Sequence, residues 1–261
     1  MKIYGHFRAA NGAAFYGEFG QHDSTVRALR QAPWLGIAYA EAPPHTLADL
    51  AIDVPVAPRS LLAVGRNYAE HAKELGNEPP PFPLTWLKSP GSLLAHNGVI
   101  ELPFPEHVVH YEAELAVILG RTAKNVRAAE AADYIFGYAI ALDISDRNLQ
   151  TAEGQFYRSK SFDGFTPFGP YLYVPEAGDF DPGNLAVQLK QNGELRQDGN
   201  TRDMIFKPAD VLEFSTKGTT LIPGDVLITG TPAGVGPIKD GDVLEARIGP
   251  FAPLVARVKN A

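Results

Sequence analysis

The stretch "HYEAELAVILG", residues 110–120, ends in an apolar run of strand length but opens with Glu112 and Glu114. In an extended chain successive side chains alternate, so Glu112, Glu114, Ala116 and Ile118 take one face and Tyr111, Ala113, Leu115 and Val117 the other. The two carboxylates therefore point the same way. They repel one another, and burying either as an anion is costly unless a cation or hydrogen-bond donor compensates it. The segment demands either a positive partner or a solvated strand end, and its own residues leave both open.

Outward from this strand the chain reads as many short strands divided by Gly and Pro. Strand patterns fall at 62–65, 113–119, 136–142, 171–174, 186–191, 226–229, 243–248 and 254–258. Helical patterns are few: Tyr68 to Leu75, Val126 to Ala132 and Pro208 to Ser215. Near the start, Asn11-Gly12 between alternating apolar residues is a two-residue hairpin signal. The proline-rich run from Glu41 to Arg59 has linker composition, which sets a small N-terminal β subdomain at residues 1–56 and the main domain at 57–261. The expected class is β-rich α+β with peripheral helices.

Composition excludes several functions. With 261 residues, 45% hydrophobic and 20% charged, the chain has the make-up of a soluble globular protein. Its apolar runs stop well short of the roughly 20 residues that a spanning helix needs. No signal-type apolar core follows Met1, so a cytoplasmic protein without a membrane partner is expected. The absence of cysteine removes disulfides, thiolate metal sites and a cysteine nucleophile, leaving oxygen and imidazole as metal ligands. A net charge of −7 without a basic stripe argues against nucleic acid.

Two further segments bear on the glutamates. In "YAIALDISDRNLQ" an apolar strand runs directly into Asp143. If that strand neighbours the first, three carboxylates converge into a hard-oxygen set suited to Mg²⁺ or Mn²⁺, with coordination positions left open for water or substrate. Asp143 could equally be the N-cap of a helix over "ISDRNLQ". In "GRNYAEHAKELG", residues 65–76, Asn67 can cap a helix and Gly76 can end it. His71 and Glu74 then stand three apart on one face, where the carboxylate can orient the imidazole as a general base acting through water. A solvated surface pair has the same spacing.

Taken in order, "VGRNYAEHAKELG", "WLKSPGSL", "HYEAELAVILG", "GYAIALDISDRNLQ", "SKSFDGFTPFGP", "NGELRQDGNTRDMIF" and "GDVLITGTPAGVG" resemble the fumarylacetoacetate hydrolase superfamily over about residues 60 to 248. The resemblance implies a mixed β-roll-like core, homodimers, and one divalent metal held by Glu112, Glu114 and Asp143. It implies that Lys160 stabilises negative charge on a metal-bound enolate or oxyanion. His71 and Glu74 match a dyad on a mobile helical lid, entered through Arg66, Asn67 and Tyr68; Arg66 and Tyr68 count among the substrate-binding residues. Arg147 and Gln150 match polar residues near the substrate. Thr231 matches a residue whose hydroxyl and neighbouring amides receive a substrate carboxylate.

The chemistry implied is that of a 2-oxo acid whose enolate is stabilised by the metal. "FYRSKSFDGFTPFGP" resembles members acting on 2-hydroxyhepta-2,4-diene-1,7-dioate and its tricarboxylate precursor in aromatic-compound degradation, so the expected activity is isomerisation or decarboxylation of such a small-molecule substrate. "HAKE" is shared with acylpyruvate hydrolases and oxaloacetate decarboxylases. The compact "TAEGQFYRS" departs from the family pattern and leaves the distal pocket to this chain. A β-rich binding module with a structural Ca²⁺ is the alternative from another class. Against it, such sites draw their ligands from one loop, and these carboxylates are spread over separate strands.

Overall fold

The computed structural model spans residues 1–261 and describes all of them except 75, 77 and 177. Period-two alternation is realised as strand over much of the chain, and the strands form three sheets. The largest runs, edge to edge, through His45–Thr46, Thr25–Leu29, Ala14–Phe19, Lys2–Arg8, Thr166–Val174, Ile135–Leu142, Ala113–Leu119, Val226–Ile228, Leu61–Gly65 and Leu84–Lys88. A five-stranded sheet has the order Glu194–Asn200, Ala186–Gln191, Val243–Ile248, Leu254–Asn260 and Val99–Leu102. A small sheet joins Ser145–Asp146, Val109–Tyr111 and Gly236–Ile238. Most pairings are antiparallel, but Val226–Ile228 with Leu61–Gly65, Leu254–Asn260 with Val99–Leu102 and Thr166–Val174 with Leu93–Leu94 are parallel. The class is β-rich α+β.

Ala113–Leu119 is buried along its whole length because both its faces are covered. Leu115, Val117 and Leu119 pack in one apolar layer with Val187, Leu189, Leu244, Ala246 and Ile248 of the five-stranded sheet. Ala116 and Ile118 belong to a second layer with Leu61, Ala63, Phe168 and Ile228. A strand buried on both faces reads as a near-continuous apolar run, as "LAVIL" does.

Three α-helices lie on this framework: α1, Ala69–Glu74; α2, Arg147–Glu153; and α3, Pro208–Thr216. The expected end of α1 at Leu75 falls outside the described residues. The expected helix over Val126 to Ala132 is instead a 3-10 segment, Ala128–Tyr134, linking two antiparallel neighbours. Such neighbours need no helical crossover. Asn67 does not cap α1: its Oδ1 accepts from Phe206 N, and its Nδ2 donates to the carbonyls of Phe206 and Thr229. The hairpin at Asn11-Gly12 forms, but its loop runs from Ala9 to Ala13 rather than over two residues. No described helix is long and apolar enough to cross a membrane.

The N-terminal strands continue the large sheet, since Lys2–Arg8 pairs with Thr166–Val174. Phe7, fully buried, packs against Phe15, Phe19 and Tyr171, the last from the body of the sheet. Phe7→Ala is expected to cost about 3–5 kcal/mol in a single cooperative urea transition. Two transitions, of which only the first responds to the substitution, would show that residues 1–56 melt on their own.

Candidate active site

The register of the two central strands assembles the carboxylates. Ala113 pairs with Leu142 and Glu114 with Ala141, so Asp143, one residue beyond its strand, lies opposite Glu112. The Asp143 amide donates to the Glu112 carbonyl at 2.9 Å. Glu112, Glu114 and Asp143 are 5%, 1% and 0% exposed, and one oxygen from each lies within 4.8 Å of the others. The solvated strand end is thereby excluded. Asp143 is not a helix cap either; that role falls to Asp146, whose Oδ1 accepts from Leu149 N at the start of α2.

Three cations answer the trio. Lys160 Nζ lies 2.6 Å from Asp143 Oδ2 and 3.0 Å from Glu112 Oε2, and also donates to Ser145 Oγ. Lys88, fully buried, places Nζ 2.5 Å from Asp143 Oδ1 and donates to the Phe165 carbonyl. Arg147 Nη2 reaches Glu112 Oε1 at 2.5 Å, while its Nη1 donates to Gln150 Oε1. Burial works to raise Glu112, but Lys160 and Arg147 outweigh it and hold this carboxyl below the usual carboxylate range. Burial works to lower Lys160, yet Asp143 and Glu112 outweigh it and raise the ammonium. Lys88 is lowered, because burial there outweighs Asp143.

Glu114 differs. No cation forms an ion pair with it among the described residues, and its Oε2 is held by the Gly230 amide at 2.6 Å. Burial, then the charges of Asp143 and Glu112, push its carboxyl well above the usual range. That buried acid without a counter-charge is the observation that tests a metal. Three converging hard oxygens, one of them uncompensated, fit a divalent cation, which would let Glu114 ionise. The glycine beneath it is required: Gly230 has φ +88°, and a Cβ there would meet Asn67 Cβ at 2.8 Å and the Val64 carbonyl at 3.1 Å.

A cavity of about 410 Å³ opens beside the trio. Arg66, His71, Glu112, Arg147, Gln150, Lys160 and Thr231 all line it; Glu114 and Asp143 do not reach its wall. His71 Nδ1 is 3.2 Å from Glu74 Oε2, and Glu74 Oε1 accepts from the Gly234 amide, which ties α1 to the glycine-rich loop. With Nδ1 engaged by the carboxylate, Nε2 is the nitrogen left to carry the lone pair of a base. Arg66 takes a left-handed backbone (φ +53°) and makes no hydrogen bond or ion pair among the described residues, a free cation at the cavity wall. Strained backbone of this kind concentrates at functional sites.

Two expected residues are placed differently. The Thr231 hydroxyl donates to the Ala113 carbonyl and accepts from Gln197 Nε2, so its proton is committed to the scaffold. Tyr68 lines a different cavity, of about 530 Å³, beside Glu70, Asp198 and Asp203. Burial raises its phenol, and its hydroxyl lacks a hydrogen-bond partner.

Other side chains carry no spacing signal in the sequence. Lys88 follows Leu87 on an edge strand and becomes a site residue only when Asp143 folds against it. Gln197, fully buried, bridges Ala113 N, Thr231 Oγ1 and the Pro232 carbonyl. Trp86 walls the cavity, its ring 5.2 Å from Lys160 Nζ. His110 also lines it, and burial, with the Arg147 charge, lowers its imidazole to about 4. Its position two residues before Glu112 was the available clue.

Known proteins share this arrangement of strands. The family model described as Fumarylacetoacetate (FAA) hydrolase C-terminal matches residues 60–259. The mitochondrial oxaloacetate tautomerase FAHD1 of Arabidopsis thaliana is 46% identical over 192 residues, covering 72% of this chain and 85% of its own. The crystal structure of 2-hydroxyhepta-2,4-diene-1,7-dioate isomerase from Mycobacterium marinum superposes with a TM-score of 0.89 at 32% identity, covering 100% of this chain and 99% of that one. The structure of 5-carboxymethyl-2-hydroxymuconate delta-isomerase from Mycobacterium smegmatis gives the same TM-score and identity, with 100% of both chains covered.

Lys88→Met leaves Asp143 with one cation in a dry site. Breaking a buried pair costs about 3–5 kcal/mol, and urea unfolding of metal-free protein is expected to show a loss of that order. Excess Mn²⁺ should recover part of it by supplying the missing positive charge.

Proposed function

This chain belongs to the fumarylacetoacetate hydrolase family, and from that premise we propose that it is a divalent-metal-dependent enzyme acting on a 2-oxo or 2-hydroxy-dienoic dicarboxylic acid through its enolate. The specific activity proposed is that of a 2-hydroxyhepta-2,4-diene-1,7-dioate isomerase or decarboxylase. The observation that carries the reading is the buried trio of Glu112, Glu114 and Asp143, with Glu114 uncompensated, opening through Glu112 onto a cavity that also holds Lys160. The compounds named in the relatives support it, since oxaloacetate and the heptadienedioate are both dicarboxylates able to enolise next to C2.

Glu112, Glu114 and Asp143 would hold Mg²⁺ or Mn²⁺, which when bound supplies Lewis-acid polarisation of the substrate's 2-oxo group. Lys160 sets a compact ammonium at the cavity wall, raised by its two carboxylate partners, where it stabilises negative charge developing on the enolate oxygen. Arg66, uncommitted, offers a guanidinium to a substrate carboxylate. Arg147 and Gln150 brace each other on α2 and keep Glu112 ionised and oriented. Phe156 and Trp86, packed edge to face, limit water on the far wall.

A hydrolytic reading has one observation of its own. Glu74 is anchored to Gly234 while holding His71 Nδ1, so the imidazole is poised to take a proton at Nε2 from water. Attack by that water on a further carbonyl would give acylpyruvate hydrolysis, and a 2-oxo acid with a 4-carboxylate would instead lose CO₂.

We also propose a homodimer as the working assembly. The large sheet ends on Leu84–Lys88, where Leu87 is 54% exposed beside Tyr157 at 55%, an apolar edge of the kind that proteins usually cover.

Purified protein with Mg²⁺, offered C4 to C8 2-oxo acids with enol–keto exchange, CO₂ and pyruvate read separately, is expected to turn over a dicarboxylate and to stop in EDTA. Absence of metal-dependent turnover across the series would overturn the proposal. Glu114→Gln is expected to fold, and to lose both Mn²⁺ binding in calorimetry and turnover. His71→Ala should lower C–C hydrolysis by roughly 10²–10⁴-fold and enolisation of the same compound far less; equal losses would reassign His71 to the enolisation step.

A further inference from the structure

His110 lies two residues before Glu112, and both line the 410 Å³ cavity. Glu112 belongs to the carboxylate trio, whereas His110 has no task in the proposed chemistry. The backbone of His110 is fixed on both flanks: Val109–Tyr111 is the middle strand of the small sheet, with His110 opposite Ser145 and Pro237. Its ring makes no hydrogen bond among the described residues, and Nδ1 is sealed from solvent without a partner. An N–H buried with no acceptor is costlier and rarer than an unused lone pair. Nδ1 is therefore the lone-pair nitrogen, and the neutral ring carries its proton on Nε2. The ring lines the cavity, and Nε2 is the edge with an N–H to offer a ligand there.

The neighbourhood says which part of a ligand this donor faces. Of the two residues facing His110 across the small sheet, Ser145 accepts from Lys160 at the trio, and Pro237 follows the loop whose Gly234 amide donates to Glu74 of α1. His110 thus stands between the acidic trio, where the 2-oxo acid end belongs, and the lid. An N–H donor there, on the same cavity wall as Arg147, can bind an anionic oxygen.

We propose that His110 is a substrate-binding residue whose Nε2–H donates to a carboxylate oxygen on the part of the substrate remote from its 2-oxo acid end. This rests on the 2-oxo dicarboxylate reading of the site. It makes His110 a determinant of preference for dicarboxylic over monocarboxylic 2-oxo acids.

The test compares wild type, His110→Gln and His110→Phe, each with Mg²⁺, using oxaloacetate for kinetics and oxalate, which has no remote carboxylate, for calorimetry. His110→Phe is expected to lose about tenfold or more in kcat/KM for oxaloacetate, the size of one hydrogen bond to a charged group, with oxalate affinity unchanged. His110→Gln, whose carboxamide N–H can reach the Nε2 position, should recover most of the loss. In ¹⁵N-histidine NMR the His110 ring is expected as the Nε2–H tautomer, its Nε2 resonance moving on addition of oxaloacetate but not oxalate. An unaffected His110→Phe, equal losses for the two ligands, a glutamine variant as poor as phenylalanine, or a protonated Nδ1 would each overturn the proposal while wild-type turnover leaves the function standing. A wild type that neither binds oxalate nor acts on oxaloacetate overturns both together.

Discussion

The structure turns on placing three carboxylates in a dry interior and keeping them there. Unpaired, such groups would protonate or unfold the sheet end that carries them. Lys160, Lys88 and Arg147 come from three separate elements to meet Glu112 and Asp143. Among the described residues the compensation stops one charge short at Glu114, which accepts from the Gly230 amide. As an anion that residue is poorly accommodated, and a dication bound among the three carboxylates would supply the missing charge.

The scaffold explains why the groups hold their positions. Ala113–Leu119 lies between two apolar layers and cannot slip by one residue without exchanging its core face for its acidic one. Beneath the trio, Gln197 and Thr231 consume their polar atoms in ties to Ala113 and Pro232, leaving the loop after Ile228 little freedom. Asn67 binds the same loop from the opposite side, through Thr229. These buried amides and hydroxyls serve rigidity, and their hydrogen bonds are spent before any ligand arrives.

Around the cavity the groups divide by what they have left to give. Arg147 is occupied with Glu112 and Gln150; Arg66 and the ring of His110 make no hydrogen bond among the described residues; His71 is oriented through Nδ1 by Glu74. Among the described residues, the side-chain hydrogen bond that ties α1 to the glycine-rich loop is the one from the Gly234 amide to Glu74.

Much of this was written in the chain. The strands at Ala113–Leu119, Ala186–Gln191 and Val243–Ile248 fall where alternation places them, because period two survives in any sheet that buries one face or both. The family resemblance named the trio and Lys160 because motif order is a one-dimensional property. What the chain alone could not convey were interactions whose partners are distant in sequence: Lys88 with Asp143, Gln197 with Thr231, and Asn67 with Thr229 rather than with its own helix. Local signals also misled where tertiary pairing overrode them, as in the 3-10 link at Ala128–Tyr134 and the lengthened Asn11-Gly12 loop. The sequence by itself determined which residues are acidic, which segments extend and which face each side chain takes, since these follow from residue type and backbone geometry. Only the tertiary structure decided which carboxylate is left without a counter-charge and which ring nitrogens stay unpaired, because compensation is a property of neighbours and neighbours are set by register.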